Sequence, residues 1–271
     1  MQPAPPAADQ NEECVLKLQI IFATGNQNKV REIREILSDP DITVLSMKEA
    51  GVFAEPEENG TTFEENARIK ALAVSELVRQ RIRQCAEAGD TAGEGSAKTV
   101  KAAGENSSGA AVTSAVFGDK TLDLRIPVVV MSDDSGLVID ALGGMPGIYS
   151  ARYMGHDTSH ALKMGRLLEE MKDVPDEKRT ARFEAAVAAV FPKGLDPAAD
   201  LLECRTVTGT MEGYIAHEIR GALGFGYDRF FYFPQFQMTS SEISPEQKNA
   251  VSHRGKAVRA MMEILKGIAN S

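Results

Sequence analysis

Cysteine is scarce in this chain. Cys14, Cys85 and Cys204 are odd in number and widely spaced. That arrangement suits neither a disulfide framework nor a zinc site and fits a reducing compartment, most simply the cytoplasm. Long hydrophobic runs are missing too. None approaches about 18 residues, so no membrane span and no membrane partner are expected. Positive charge is in deficit: 30 Lys and Arg stand against 39 Asp and Glu, for a formal net charge of −9. This argues against general nucleic-acid binding, which needs a basic footprint. An anionic small molecule would need a local cluster of cations. Internal repeats are absent. Met1 to Glu13 lacks the basic-then-apolar order of a secretory signal. With Pro3, Pro5 and Pro6 it makes residues 1–14 read as a disordered tail.

What is present is ordinary for a globular protein: 43% hydrophobic and 25% charged residues over 271 positions. Such a length buries a full core, as one α/β domain or two lobes. The pattern from Ile126 to Tyr149 organises the rest. Val128 to Met131 is a short apolar run of the buried-strand type, and it is expected to end at Asp133-Asp134-Ser135-Gly136, with Gly136 to Leu142 either extending the sheet or starting a new strand. Two adjacent carboxylates at such a strand end are costly unless a cation meets them. For oxygen ligands alone, that cation is typically Mg²⁺. An acidic turn explains the same four residues about as well.

Upstream, Leu16 to Ala23 predicts a first strand. Thr24-Gly25-Asn26-Gln27-Asn28-Lys29 follows, then a helix with Val30, Ile33 and Leu37 on one face and Asn28 as its expected N-cap. Free N–H groups and the dipole at such a helix start favour phosphate, and Lys29 adds a full charge. The turn is not a Walker A loop, because its Gly-Lys-Ser/Thr ending is absent. Asp41 to Met47 predicts a second strand. Thr62 and Glu65 predict a capping box for a long helix whose buried stripe is Phe63, Ala67, Ala71, Val74, Val78 and Ile82. Cys85 to about Leu124 reads as a low-complexity insertion.

Downstream, Thr158 or Ser159 caps a helix, and Thr180 to Phe191 and Leu201 to Ile215 predict an antiparallel hairpin, so the sheet is mixed. Gly-rich Glu218 to Asp228 leads to a short aromatic strand at Arg229 to Phe233. Ser244-Pro245-Glu246-Gln247 predicts a capped helix carrying Lys248. Ser252-His253-Arg254 precedes a terminal helix. His156, His160 and His217 read as ordinary structural residues.

Five segments in this order resemble the inosine triphosphate pyrophosphatase family: ATGNQNK at 23–29, TFEENARIKA at 62–71, SDDSGLVIDALGGMPGIYSARY at 132–153, GALGFGYDRFF at 221–231 and SHRGKA at 252–257. The resemblance spans nearly everything except the tail and the insertion. Arg229 departs from it, standing where the family commonly has proline. The resemblance implies a long mixed sheet with flanking helices, in two lobes around a central active-site cleft, within a pyrophosphatase domain at 15–271. It also implies a homodimer that uses Mg²⁺ to hydrolyse ITP, dITP or XTP to the monophosphate and pyrophosphate. Position by position, Thr24, Gly25, Asn26, Gln27, Asn28 and Lys29 would hold the triphosphate. Asp134 would be general base and metal ligand, Glu58 the second metal carboxylate, and Ser135 a substrate neighbour. Phe225, Gly226, Tyr227, Asp228, Lys248, His253 and Arg254 would surround the nucleoside.

Chemically, a cation near Asp134 would keep it ionised, able to take a proton from the attacking water. Asp133 reads as a second ligand through water or, slightly better, as an anchor for the turn. Protonated Lys248, His253 and Arg254 would welcome a 6-keto purine and repel adenine's amino group. Phe225 could stack on the base. Two other readings compete: a related Maf-like nucleotide pyrophosphatase with another base preference, and a nucleotide sensor without turnover.

Overall fold

The computed structural model describes residues 16–91 and 113–271, with side chains except at 86–91. The expected disordered tail and Cys14 lie outside these residues, as does most of the expected insertion. Seven strands form one mixed sheet in the order β2-β1-β5-β6-β7-β8-β9. These are β1 (Leu18–Phe22), β2 (Ile42–Ser46), β5 (Val128–Ile139), β6 (Thr180–Pro192), β7 (Leu202–Ile215), β8 (Phe231–Phe233) and β9 (Met238–Thr239). β1 runs parallel to both β2 and β5, and every later pairing is antiparallel. The mixed sheet and the long hairpin follow the sequence pattern. No described helix is long and apolar enough to cross a membrane.

Helices flank both faces. On one side lie α1 (Gln27–Ile36) and α5 (His253–Ala269), on the other α2 (Phe63–Thr91). Helix α3 (His160–Glu170) packs at the far end of the sheet, and α4 (Pro245–Val251) leads into α5. The alternation of β5 explains the layering. Val129 and Met131 join a core with Val30 and Ile33 of α1 and Met261 of α5. On the same face, Leu137 and Ile139 join a second core with Met164 of α3 and Phe231. Between those two cores sits Asp133. The alternate residue Val138 packs with Phe63, Ala67 and Ala71 of α2, and the Ser132 hydroxyl donates to the Ala67 carbonyl at 2.6 Å.

Some expectations need correction. The apolar run does not stop at the acidic pair: β5 continues through Asp133-Asp134 to Ile139. Distant cations neutralise the pair, so no turn is required. The N-cap of α1 is Asn26, not Asn28; its Oδ1 accepts from the N–H groups of Asn28 and Lys29. Finally, 85–124 is not uniformly unpatterned. Helix α2 runs on to Thr91, and β3 (Ser114–Phe117) pairs with β4 (Lys120–Asp123) as a hairpin. Phe117 and Leu122 of that hairpin are buried with Val74 and Val78.

Candidate active site

β1 pairs with β5 only from Val128 to Met131. There the chain leaves β1, with the Ala23 N–H on the Met131 carbonyl at 2.7 Å, and turns through Thr24–Asn26 into α1. On the β1 side, β5 therefore has an open edge beginning at Ser132. Helix α1 carries the chain from β1 to β2 on one face, and α2, on the other face, follows β2 and precedes β5, which lies on the opposite side of β1. Such a reversal leaves a crevice beyond the strand ends, where α/β sheets bind ligands. The acidic pair occupies that crevice.

Successive side chains of a strand point to opposite faces, so the pair divides. Asp133 meets the α1 and α5 side. Lys29 Nζ pairs with its Oδ1, and Arg254 Nε donates to its Oδ2 at 3.1 Å. Its side chain is fully buried. Burial alone would raise its pKa, but the charges of Arg254 and Lys29 overcome this and hold it well below the ordinary value. Asp133 thus anchors cations rather than a turn. Asp134 meets α2, where Lys70 Nζ lies 2.7 Å from its Oδ1. Here burial outweighs Lys70 and the pKa is raised. Lys70 also reaches Glu58 Oε1 at 3.5 Å, and Arg152 approaches Glu58 Oε2 at 3.7 Å.

A second network lies deeper. Glu32, one turn after Lys29 on α1, accepts from Lys248 at 2.9 Å and from Arg254. Lys248 also donates to Asp228 Oδ2 at 2.7 Å. Burial opposes the charge on Lys248, but Asp228 and Glu32 more than restore it, so its pKa is raised. Arg254 Nη2 donates to the Ser135 hydroxyl at 2.9 Å. The Gly-rich loop is closed by Asp228, which accepts from the Phe225 N–H at 2.8 Å. Gly224 (φ 74°) passes so close that a Cβ there would fall 2.3 Å from Asp228 Oδ2, so only glycine fits. Arg229 donates from Nε to the Gly221 carbonyl at 3.0 Å and ties the same loop.

These residues enclose a cavity of about 150 Å³. Asn26, Lys29, Ser135, Phe225, Gly226, Tyr227, Asp228, Lys248, His253 and Arg254 all line it, each a residue the sequence singled out. Thr24, Gly25, Gln27 and Asn28 sit in the adjoining turn, where Gly25 and Gln27 are exposed. Glu58 and Asp134 form the neighbouring corner around Lys70. The volume is below the ~300–1,000 Å³ of whole-ligand pockets; it suits one flat ring system, with the rest of a ligand outside.

Several side chains act differently from the sequence reading. His253 is buried and stacks on Phe183 at 5.0 Å and 14°. Burial, then Arg254, hold its pKa well below 6.5, so it is neutral rather than a cationic donor. Tyr227 is buried and donates to the Ser150 carbonyl at 2.9 Å, which fixes the wall of the cavity. Lys248 and Arg254 lie 5.1 and 5.7 Å from the centroid of the Phe225 ring. His160, read as ordinary, lines the cavity edge-on to Tyr227 at 5.3 Å. Lys70, Glu32 and Phe183 were not singled out. Helical spacing held the signal: Glu32 follows Lys29 by three positions, and Lys70 borders the apolar stripe of α2.

Five buried side-chain polar atoms among the described residues lack a partner, among them Asp134 Oδ2 and His253 Nδ1 of this region. Buried polar groups are otherwise nearly always satisfied, so these atoms are the polar groups of the region left uncommitted by the protein itself.

The model of the Ham1 family matches residues 20–264. The chain belongs to the Ham1 family. Among its relatives, a dITP/XTP pyrophosphatase of Clostridium perfringens is 36% identical over 250 residues, covering 92% of this chain and 98% of the relative. One from Bacillus subtilis is 35% identical over 251 residues, covering 93% and 98%. Two solved structures are similar: a Ham1 protein from Staphylococcus aureus (TM-score 0.62, 29% identity, covering 92% and 98%) and one from Coxiella burnetii (TM-score 0.61, 30% identity, covering 92% and 99%). The pyrophosphatase resemblance read from the five segments agrees with this membership.

Proposed function

We propose that this Ham1 protein hydrolyses deaminated purine nucleoside triphosphates (ITP, dITP and XTP) to the monophosphate and pyrophosphate, with Mg²⁺ as cofactor. One observation carries the reading. The open edge of β5 places Lys29 and the α1 start beside an acidic pair, directly against a ring-sized cavity lined by Phe225, Lys248, His253 and Arg254. The names of the relatives support the substrate class.

The residues present fit a divalent ion sparsely held. Among the described residues no group of three His, Cys, Asp or Glu converges on one point. Glu58 and Asp134 nevertheless share Lys70, and Asp134 Oδ2 is buried and bare. Mg²⁺ is commonly held by one or two carboxylates plus substrate phosphates and water. The ion pairs of the site balance cations against carboxylates, so a multiply anionic tail brings charge that Lys29 and Lys70 alone do not cancel. Mg²⁺ bound at Glu58 and Asp134 would supply charge neutralisation and a more acidic water.

The chain's own residues do the rest. The positive dipole end of α1 and the Lys29 ammonium attract phosphate oxygens. Asp134, kept ionised by the cation beside it, accepts the proton of the attacking water. Phe225 stacks on the purine. Lys248, with one of its three donors uncommitted, and Arg254 offer N–H groups to a 6-keto oxygen. Adenine would set its amino donor against them, a polar mismatch worth about 10⁴ or more in such sites. Neutral His253 contributes a donor or an acceptor according to its tautomer.

The test is a panel of ITP, XTP, ATP, GTP, dTTP and UTP with Mg²⁺, products identified. Pyrophosphate from ITP and XTP is expected; orthophosphate, a pyrimidine preference or no turnover would reject the proposal. A homodimer is part of it, checked by light scattering after gel filtration; a monomer at assay concentration would remove that part.

A further inference from the structure

Asn66 lies in the first turns of α2 and is completely buried. Its Oδ1 accepts from the Gly60 N–H at 2.9 Å, which also settles which end of the amide is oxygen. The helix start does not need this bond. Thr62 Oγ1 already accepts from the Glu65 N–H, and Glu65 in turn receives the Thr61 N–H and hydroxyl, one residue short of the capping box predicted. What Asn66 holds is the loop before the helix. The contact is close: a Cβ on Gly60 would fall 2.7 Å from Asn66 Oδ1 and 2.7 Å from Glu65 Cβ. Two residues before Gly60 stands Glu58, in a tight turn where the Asn59 N–H meets the Glu57 carbonyl at 3.1 Å. One helical turn after Asn66 stands Lys70, which touches both Glu58 and Asp134.

We infer that Asn66 is the positioning residue for the metal corner. It clamps the 58–60 loop to α2 through Gly60 and so fixes how far the Glu58 carboxylate stands from Asp134. A half-exposed glutamate on a loop otherwise has many positions, and a cation bridging two carboxylates needs one. The Nδ2 of Asn66 is buried without a protein partner. The inference rests on the proposal that Glu58 and Asp134 share the divalent ion.

Mn²⁺ binding to the full chain, measured by electron paramagnetic resonance without nucleotide, tests both levels. The variants are Asn66→Ala, Gly60→Ala and Glu58→Gln, each checked for folding by its thermal melt. Gly60→Ala pushes the loop off an intact Asn66 and serves if Asn66→Ala does not fold. Asn66→Ala and Gly60→Ala should each bind Mn²⁺ about 10–100-fold more weakly, the usual effect of losing a residue that orients a ligand. Glu58→Gln should bind at least as weakly. With saturating Mg²⁺ the KM for ITP of Asn66→Ala and Gly60→Ala should stay within about twofold, since uniform substrate binding is untouched. Parent-like Mn²⁺ binding by Asn66→Ala and Gly60→Ala, with loss only in Glu58→Gln, would overturn the clamp and leave Glu58 as ligand. Parent-like binding by Glu58→Gln would remove Glu58 from the metal site and the clamp with it.

Discussion

Replacing each member of the acidic pair by asparagine should separate stability from turnover. Asp133 is fully buried between Lys29 and Arg254. Removing its charge leaves two buried cations short of a partner, and breaking a buried pair this way costs about 3–5 kcal/mol. At about 2–4 °C per kcal/mol for a chain of this size, Asp133→Asn should melt roughly 6–20 °C lower. Because the folded pKa is depressed, the Asp133 contribution is present above the unfolded value, near 3.8, and lost as the pH falls through the folded one. The deficit should therefore be full at pH 7 and shrink under acid. Asp134 has the opposite sign. Burial raises its folded pKa, so its favourable contribution is present at low pH and lost as the pH rises through the folded pKa. Asp134→Asn should then melt at or above the parent temperature at pH 7, while pyrophosphate release from ITP falls about 10²–10⁴-fold. Calorimetric melts without metal or nucleotide, paired with the product assay, give both quantities. Equal melting of the two variants, or a larger loss in Asp134→Asn, would refute the division of roles.

Three other outcomes follow from the same geometry. Lys70 holds the Asp134 pKa down against burial, so Lys70→Met should move the acid limb of kcat/KM to higher pH; an unmoved limb in the pH profile would detach Lys70 from the base. Phe225→Ala should raise KM for ITP about 10–100-fold, since an aromatic stack on a base is worth ~1–3 kcal/mol, as steady-state kinetics would show. Phe117→Ala, in the β3–β4 hairpin remote from the cavity, should cost about 3–5 kcal/mol in a denaturant titration with kcat per folded molecule unchanged.

Much of the architecture was legible where local chemistry and tertiary structure agree. Ser244, Pro245 and Gln247 form the predicted capping box in full. The alternation of Phe183, Ala185, Val187 and Ala189 produced β6 in register with β7. Sequence misled where distant partners override local preference. Asp133-Asp134-Ser135-Gly136 has turn chemistry, yet Lys29, Lys70 and Arg254 arrive from three other elements and let the strand continue. The hairpin around Gly118-Asp119 was absorbed into the Gly- and Ser-rich run before it, although Ala115, Phe117 and Leu122 already marked its buried side. The cavity residues came from the resemblance more than from spacing. Glu32 and Lys70 were missed because their partners are remote in sequence. His253 was misjudged because its ionisation depends on burial, which no local pattern reports.

The most direct measurement is a crystal structure of Asp134→Asn soaked with ITP and Mg²⁺. The triphosphate should lie against the start of α1 beside Lys29, with density for the ion near Glu58 and position 134 and the hypoxanthine against Phe225. Phosphates bound away from Lys29, or a base outside the Phe225–His253 cavity, would contradict it.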